Sequence, residues 1–295
     1  MRVAVTGATG LIGSRVVAAL RERGDEVTIL TRDPARAGEG VAWRDPAGEP
    51  APAEALAGRD GVIHLAGENV GRRWTAKAKS AIHDSRVRGT RNLVEGLRAA
   101  EPRPRVLVSQ SAVGFYGGRG DEPVEESEPP GDDFLAQVTV GWEEEAQAAE
   151  QLGVRVVRTR TGIVLAPDGG ALKRMLPPFK LGLGGPVGSG RQYMPWIHID
   201  DVVGALLFCL DTEAASGPVN VTAPEPVPNR EFAKTLGRVL GRPAVLPLPA
   251  AVLKLALGEM SLVVTTGQRA VPARLTELGY RFRHPELEAA LRDVT

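Results

Sequence analysis

The chain has 295 residues, with 36 basic and 36 acidic side chains and a formal net charge of zero. That length suits one large α/β domain or two interlaced ones, at roughly 100–200 residues per domain. The balanced charge argues against a nucleic-acid binder, and the single cysteine, Cys209, excludes an internal disulfide and a thiolate metal cluster.

Residues 2–6 (RVAVT) form a short apolar run closed by Gly7, the pattern of a buried parallel strand ahead of a helix. Leu11, Ile12, Val16, Val17 and Leu20 then recur at helical spacing, and Gly24 stops that helix. EVTIL at 26–30 reads as a second strand, VAW at 41–43 as a short third, and GVIHL at 61–65 as a fourth. A long helix follows from about Thr75 to Ala100, with Ile82, Val87, Leu93, Val94 and Leu97 on one side. RVLVSQ at 105–110 is a fifth strand, Asp132 or Asp133 caps a helix to about Gln151, and VRVVRT at 154–159 is a sixth strand. This alternation predicts an α/β fold, a doubly wound parallel sheet over residues 1–165 with helices on both faces.

After Leu165 the texture changes. Glycine and proline cluster at 167–170 and 182–190, which reads as a long loop, and its LGLGGPVGSG run is either a lid able to close or a surface loop without function. WIHIDDVVGALLFCL at 196–210 reads as a strand end followed by a helix capped by Asp200. Residues 166–295 are read as a smaller, partly interlaced lobe, of which about 196–222 returns to the sheet. Its longest apolar stretch, Ala250 to Val264, is broken by Lys254 and Glu259, short of the ~18 residues a membrane span needs. The opening MRVAVTGATG starts on a strand with no signal-peptide pattern, so the expectation is a soluble cytoplasmic protein without membrane or nucleic-acid partners.

Gly7, Gly10 and Gly13 stand between the first strand and the first helix. The first allows a tight turn, the second lets the backbone approach a pyrophosphate, and the third permits close helix–sheet packing. The helix start then offers unpaired N–H groups and partial positive charge to a phosphate. The second strand ends Leu30-Thr31-Arg32-Asp33. Arg32 can set a guanidinium against a 2′-phosphate with help from the Thr31 hydroxyl, which points to NADP(H). The alternative is a solvated Arg32 with Asp33 on the ribose of NAD.

TGATGLIG at 6–13, HLAG at 64–67, SRVRGTRNLVEGL at 85–97, SQSAVGFYG at 109–117 and IHIDDVVGALL at 197–207 resemble an extended short-chain dehydrogenase/reductase, a Rossmann fold. WTAKAKSAIHDSR, GDDFLAQVTVGWEEEA and LGLGGPVGSGRQYMPWIHIDD are similar to the atypical branch of "epimerase family" proteins with a C-terminal segment of unassigned function. The resemblance implies an NADP(H) site made of Gly7, Thr9, Gly10, Leu11, Ile12 and Gly13 at the phosphates and Thr31 and Arg32 at the 2′-phosphate. It also implies Leu65, Ala66 and Gly67 around the adenosine ribose and pyrophosphate, and Val164 near the nicotinamide. It implies an oxidoreductase or epimerase-like enzyme on a small carbonyl or hydroxyl substrate. The alternative is a silent NADPH-binding sensor or scaffold. A homodimer is possible, as in the wider group.

Standard members use a tyrosine with a lysine four residues later as the proton relay. Here Tyr116, Tyr193 and Tyr280 are followed at that spacing by Gly120, Ile197 and His284, and the usual positions fall near Leu135 and Thr139. The upstream serine survives as Ser111, a candidate for contact with the substrate oxygen. Tyr116 is the candidate substitute acid. Arg86 stands where standard members carry asparagine and can bind a cofactor phosphate or a substrate anion, or form a structural ion pair. Glu68, Arg191 and Tyr193 are lesser candidates. His198, Asp200, Trp74, Trp142 and Trp196 are read as structural, and no metal site is expected.

Overall fold

The computed structural model describes residues 1–38 and 40–295. The main-sheet strands are β1 (Arg2–Thr6), β2 (Glu26–Thr31), β3 (Val41–Ala42), β4 (Gly61–His64), β5 (Val106–Ala112) and β6 (Arg155–Thr161). β7 (Ile163–Leu165) and β8 (Trp196–His198) form a separate parallel pair, and β9 (Gly217–Val221) rejoins the main sheet. The order across that sheet is β9-β6-β5-β4-β1-β2-β3, with every neighbouring pair parallel. The chain therefore runs outward from β1 in one direction through β3 and in the other from β4 through β9. The reversal falls between β1 and β4, where open α/β sheets bind ligands beyond the strand carboxyl ends.

Strand pleat explains the two cores. Val3, Val5, Ile63 and Val108 face a layer made by α1 (Leu11–Glu22) and a later helix. Ala4, Val62, Leu107 and Val156 face the opposite layer, with Leu93 and Leu97 of α2 (Ala76–Ala99). Both faces of each central strand are covered, so those strands are continuously apolar in sequence. Thr75 caps α2 by accepting from the Ala78 N–H. Asp133 caps α3 (Phe134–Gln147), where either aspartate was open on sequence, and the expected run to Gln151 tightens into a 3₁₀ turn after Gln147.

The C-terminal residues build a third core from α4 (Gly170–Lys180), α6 (Asn229–Leu240) and α8 (Leu287–Val294), around Phe232, Leu236 and Leu291. Between them α5 (Ile199–Asp211) packs on the main sheet beside α1. The cap of α5 corrects the sequence expectation. His198, not Asp200, is its N-cap, and its Nδ1 accepts the Asp200 N–H at 3.1 Å. That bond leaves the ring proton on Nε2, facing Asp293 of α8 at 3.1 Å, while His284 stacks on the ring at 3.7 Å. The stretch from Ala250 forms α7 (Ala250–Leu257) and then two short turns. No helix among the described residues is long and apolar enough to cross a membrane.

Candidate functional site

The glycine turn lies at the reversal between β1 and β4. Gly7 has φ +68°, and a Cβ there would sit 2.7 Å from the Leu65 carbonyl group. A Cβ on Gly13 would lie 2.2 Å from the Gly7 oxygen, so the start of α1 packs directly on the turn. Gly10 is the N-cap and brings no side chain to cover the helix end, which leaves the first-turn N–H groups aimed outward. Gly7, Thr9, Gly10, Leu11, Ile12 and Gly13 thus form one continuous cradle.

Behind it, Thr6 Oγ1 accepts the N–H groups of Leu65 and Ala66, both at 3.2 Å. Its hydroxyl proton then goes to His64 Nδ1 at 2.7 Å, and His64 Nε2 donates to Thr90 Oγ1 at 3.1 Å. Full burial drives the His64 pKa down to about 4, so the ring is neutral. Leu65 and Ala66 are thereby held in place by Thr6. Their N–H donors are committed to Thr6, so what they offer a ligand is carbonyl oxygen and surface. Sequence reasoning missed Thr6, His64 and Thr90. A histidine and two threonines inside apolar strand and helix patterns were the available signal, since buried polar groups find partners.

At the tip of β2, Thr31 Oγ1 receives the Asp33 N–H at 3.3 Å, which folds the chain back and turns Arg32 outward. Arg32 is exposed and makes no hydrogen bond among the described residues.

From the glycine turn a cavity of about 410 Å³ runs to the end of β5. Leu11, Leu65, Gly67, Arg86, Ser111 and Val164 are among its lining, so the structure brings together expected residues from both groups of candidates. Glu68 lines it as well. Arg86 donates from Nη1 to the carbonyl oxygens of Glu68 (2.9 Å) and Ile82 (3.3 Å), and its guanidinium lies over the Trp142 ring. A Cβ on Gly67 would sit 3.3 Å from that guanidinium. Burial lowers the Arg86 pKa to about 10, against a small opposing pull from Glu68. It remains a cation at neutral pH, held on carbonyl oxygens and not on a carboxylate. Leu135 and Thr139, at the usual tyrosine and lysine positions, both line the cavity, and the Thr139 hydroxyl donates to the Leu135 carbonyl at 2.6 Å.

One helical turn beyond Thr139, α3 delivers Glu143 behind Ser111. The Ser111 hydroxyl donates to Glu143 Oε1 at 2.6 Å. Arg160 of β6 grips the same carboxylate with two bonds of 2.8 Å. Arg160 also donates to the Tyr116 hydroxyl at 2.9 Å, and Tyr116 donates to Asn220 Oδ1 at 2.7 Å. Glu143, Arg160 and Tyr116 are all buried. This corrects the Tyr116 assignment: its hydroxyl is consumed inside the network, it does not line the cavity, and burial raises its pKa to about 12. The sequence signal for the missed pair was Arg158 and Arg160 in a strand otherwise patterned as buried, because an arginine there demands an acid partner. Arg191 and Tyr193 lie outside the cavity lining, and Trp196 is a core side chain.

A doubly wound parallel sheet, a glycine cradle at its reversal and a cavity leading to a strand-end serine define a protein of the extended short-chain dehydrogenase/reductase type. Residues 3–222 match the NAD dependent epimerase/dehydratase family, and residues 248–294 match a domain of unknown function, DUF1731. The chain belongs to the NAD-dependent epimerase/dehydratase family. It is 42% identical to epimerase family protein Mb2239 of Mycobacterium bovis, over 99% of this chain and 97% of that protein. It is 39% identical to epimerase family protein YfhF of Bacillus subtilis, over 100% and 98%. The crystal structure of human epimerase family protein SDR39U1 with NADPH superposes with a TM-score of 0.90 at 37% identity, covering 100% of this chain and 99% of that one.

Proposed function

We propose that this protein binds NADP(H) and is an oxidoreductase or epimerase-like enzyme acting on a small carbonyl or hydroxyl compound. The observation that carries the reading is the uncapped start of α1 opening onto a cavity that ends at Ser111. Its 37% identity to a protein crystallised with NADPH supports the choice of cofactor. The first-turn N–H groups of α1 hold the pyrophosphate, and Arg86 adds positive charge beside Gly67. Thr31 and Arg32 hold the 2′-phosphate, and Val164 borders the nicotinamide end. When bound, the dinucleotide supplies the hydride donor or acceptor.

The proton path uses this chain's own residues. Ser111 points its proton at Glu143, so its oxygen lone pairs remain for a substrate hydroxyl. As the substrate carbon loses hydride, its hydroxyl proton passes to Ser111 Oγ while the proton of Ser111 passes to Glu143. The reverse transfer delivers a proton to a reduced carbonyl. Glu143 and Ser111 thereby stand in for the missing tyrosine and lysine.

Titrating NADPH and NADH against the protein and its Arg32→Ala variant tests the cofactor reading. Loss of a charge-assisted contact should weaken NADPH by about 10- to 100-fold and leave NADH within about twofold. Equal binding of both cofactors by the unaltered protein would sink the assignment. A second reading, an NADPH-binding protein without turnover, draws on Leu135 and Thr139 facing the cavity where a proton relay belongs. Single-turnover oxidation of bound NADPH by a set of aldehydes, ketones and quinones separates the two.

A further inference from the structure

The C-terminal segment of unassigned function lies against the wall of the cavity. Val70, Leu135 and Val138 line the cavity, and the same three side chains belong to an apolar cluster with Trp74, Ile82, Phe134, Leu257 and Met260. Leu257 ends α7 and Met260 lies in the turn after it, both within residues 248–294. Glu259, between them, pairs with Lys79 of α2, and Lys79 also lies 4.9 Å over the Phe134 ring. The segment is thus fastened across the entry side of α2 and α3, directly behind the apolar wall.

Charge on the lining is equally informative. Arg86 and Glu68 are its ionisable side chains, one of each sign. Arg86 is turned toward Gly67 and the carbonyls of Glu68 and Ile82, the cofactor side of the cleft. Arg230 and Lys234 of α6 line a different groove, together with Glu225, Glu231 and Glu286. A nucleoside diphosphate sugar carries two phosphate charges that need cationic or N–H partners. Away from Arg86, the lining offers the apolar side chains Val70, Leu135 and Val138 and, among the described residues, no second cation. The cavity of about 410 Å³ is shared with the nicotinamide end.

We infer that the substrate is a small, uncharged carbonyl compound or its alcohol, with an apolar body, and that residues 248–294 select it by backing the apolar wall through Leu257 and Met260. This rests on the NADP(H) reading above.

The test is isothermal titration of the NADP⁺-loaded protein with two probes, menadione as a flat uncharged dicarbonyl and UDP-glucose as a nucleoside diphosphate sugar. Menadione should bind at least about tenfold more tightly than UDP-glucose. Placing a charge in the wall with Met260→Lys should lower the ratio of menadione affinity to NADP⁺ affinity by about tenfold, and the milder Met260→Ala should lower it by about threefold. Tighter binding of UDP-glucose, binding of neither probe, or an unchanged ratio in a folded Met260→Ala would overturn the inference. Absence of NADP⁺ binding would overturn the parent reading alone, and the same two probes titrated into the cofactor-free protein would still decide the substrate class.

Discussion

The two ends of the cleft, which we propose as a cofactor end and a substrate end, are built by opposite means. At the cofactor end the shape is set by backbone: three glycines, a helix start without a cap side chain, and a neutral Thr6–His64–Thr90 chain that fixes the loop after β4. At the substrate end the shape is set by side chains from β5, α3, the 69–74 loop and the last fifty residues, over a charged network of Glu143 and Arg160. A backbone site must recur wherever the same phosphate geometry is needed. A side-chain site can be rebuilt without disturbing the sheet, since residues such as Leu135 and Thr139 reach the cavity from a helix and not from a strand.

The sharpest break of this contrast is at Arg160. Arg160→Met leaves the buried Glu143 carboxylate without its two guanidinium bonds, which should cost about 3–5 kcal/mol of unfolding free energy. Combining it with Glu143→Leu should restore most of that loss, because an apolar pair replaces a buried carboxylate left with only Arg158 as a cation, at 3.6 Å. Urea denaturation of the three proteins measures both effects. A loss below about 1 kcal/mol for Arg160→Met would mean that the pair behaves like a solvated one.

The cofactor end predicts a smaller effect with a pH signature. Above pH 6.5 the His64 ring is neutral in the folded and the unfolded chain. Between 6.5 and its folded pKa of about 4 the unfolded chain takes up a proton that the buried ring refuses, so stability falls as pH falls. The loss should total roughly 3 kcal/mol across that window and stop growing below it. His64→Gln removes the titration, so its stability should fall by that much less between pH 7 and pH 4. Parallel curves for the two proteins would contradict a neutral, locked ring.

The contrast also explains what was legible in the sequence. The glycine turn and the succession of parallel strands along the chain follow from short contiguous patterns, because backbone conformation leaves local marks such as Gly7 and Gly13. The Ser111–Glu143–Arg160–Tyr116–Asn220 network joins four stretches of chain that only the fold brings together. From sequence Tyr116 looked like a replacement acid because it follows Ser111 closely. The strand end carries Ser111 to the cavity, but the 3₁₀ turn at Val113–Tyr116 carries the phenol beneath the sheet edge to Asn220. The cap of α5 failed for a related reason. A histidine ring nitrogen can accept the N–H that an aspartate was expected to take, and residue preference alone does not say which neighbour does.

The central claim is a phosphorylated dinucleotide lying along the cleft from Arg32 to Ser111, and a crystal structure of the protein grown with NADP⁺ tests it most directly. The account predicts the pyrophosphate on the first turn of α1, the 2′-phosphate against Arg32, and the nicotinamide between Val164 and Ser111. Density for the dinucleotide in another groove, or a 2′-phosphate pointing away from Arg32 into solvent, would contradict it.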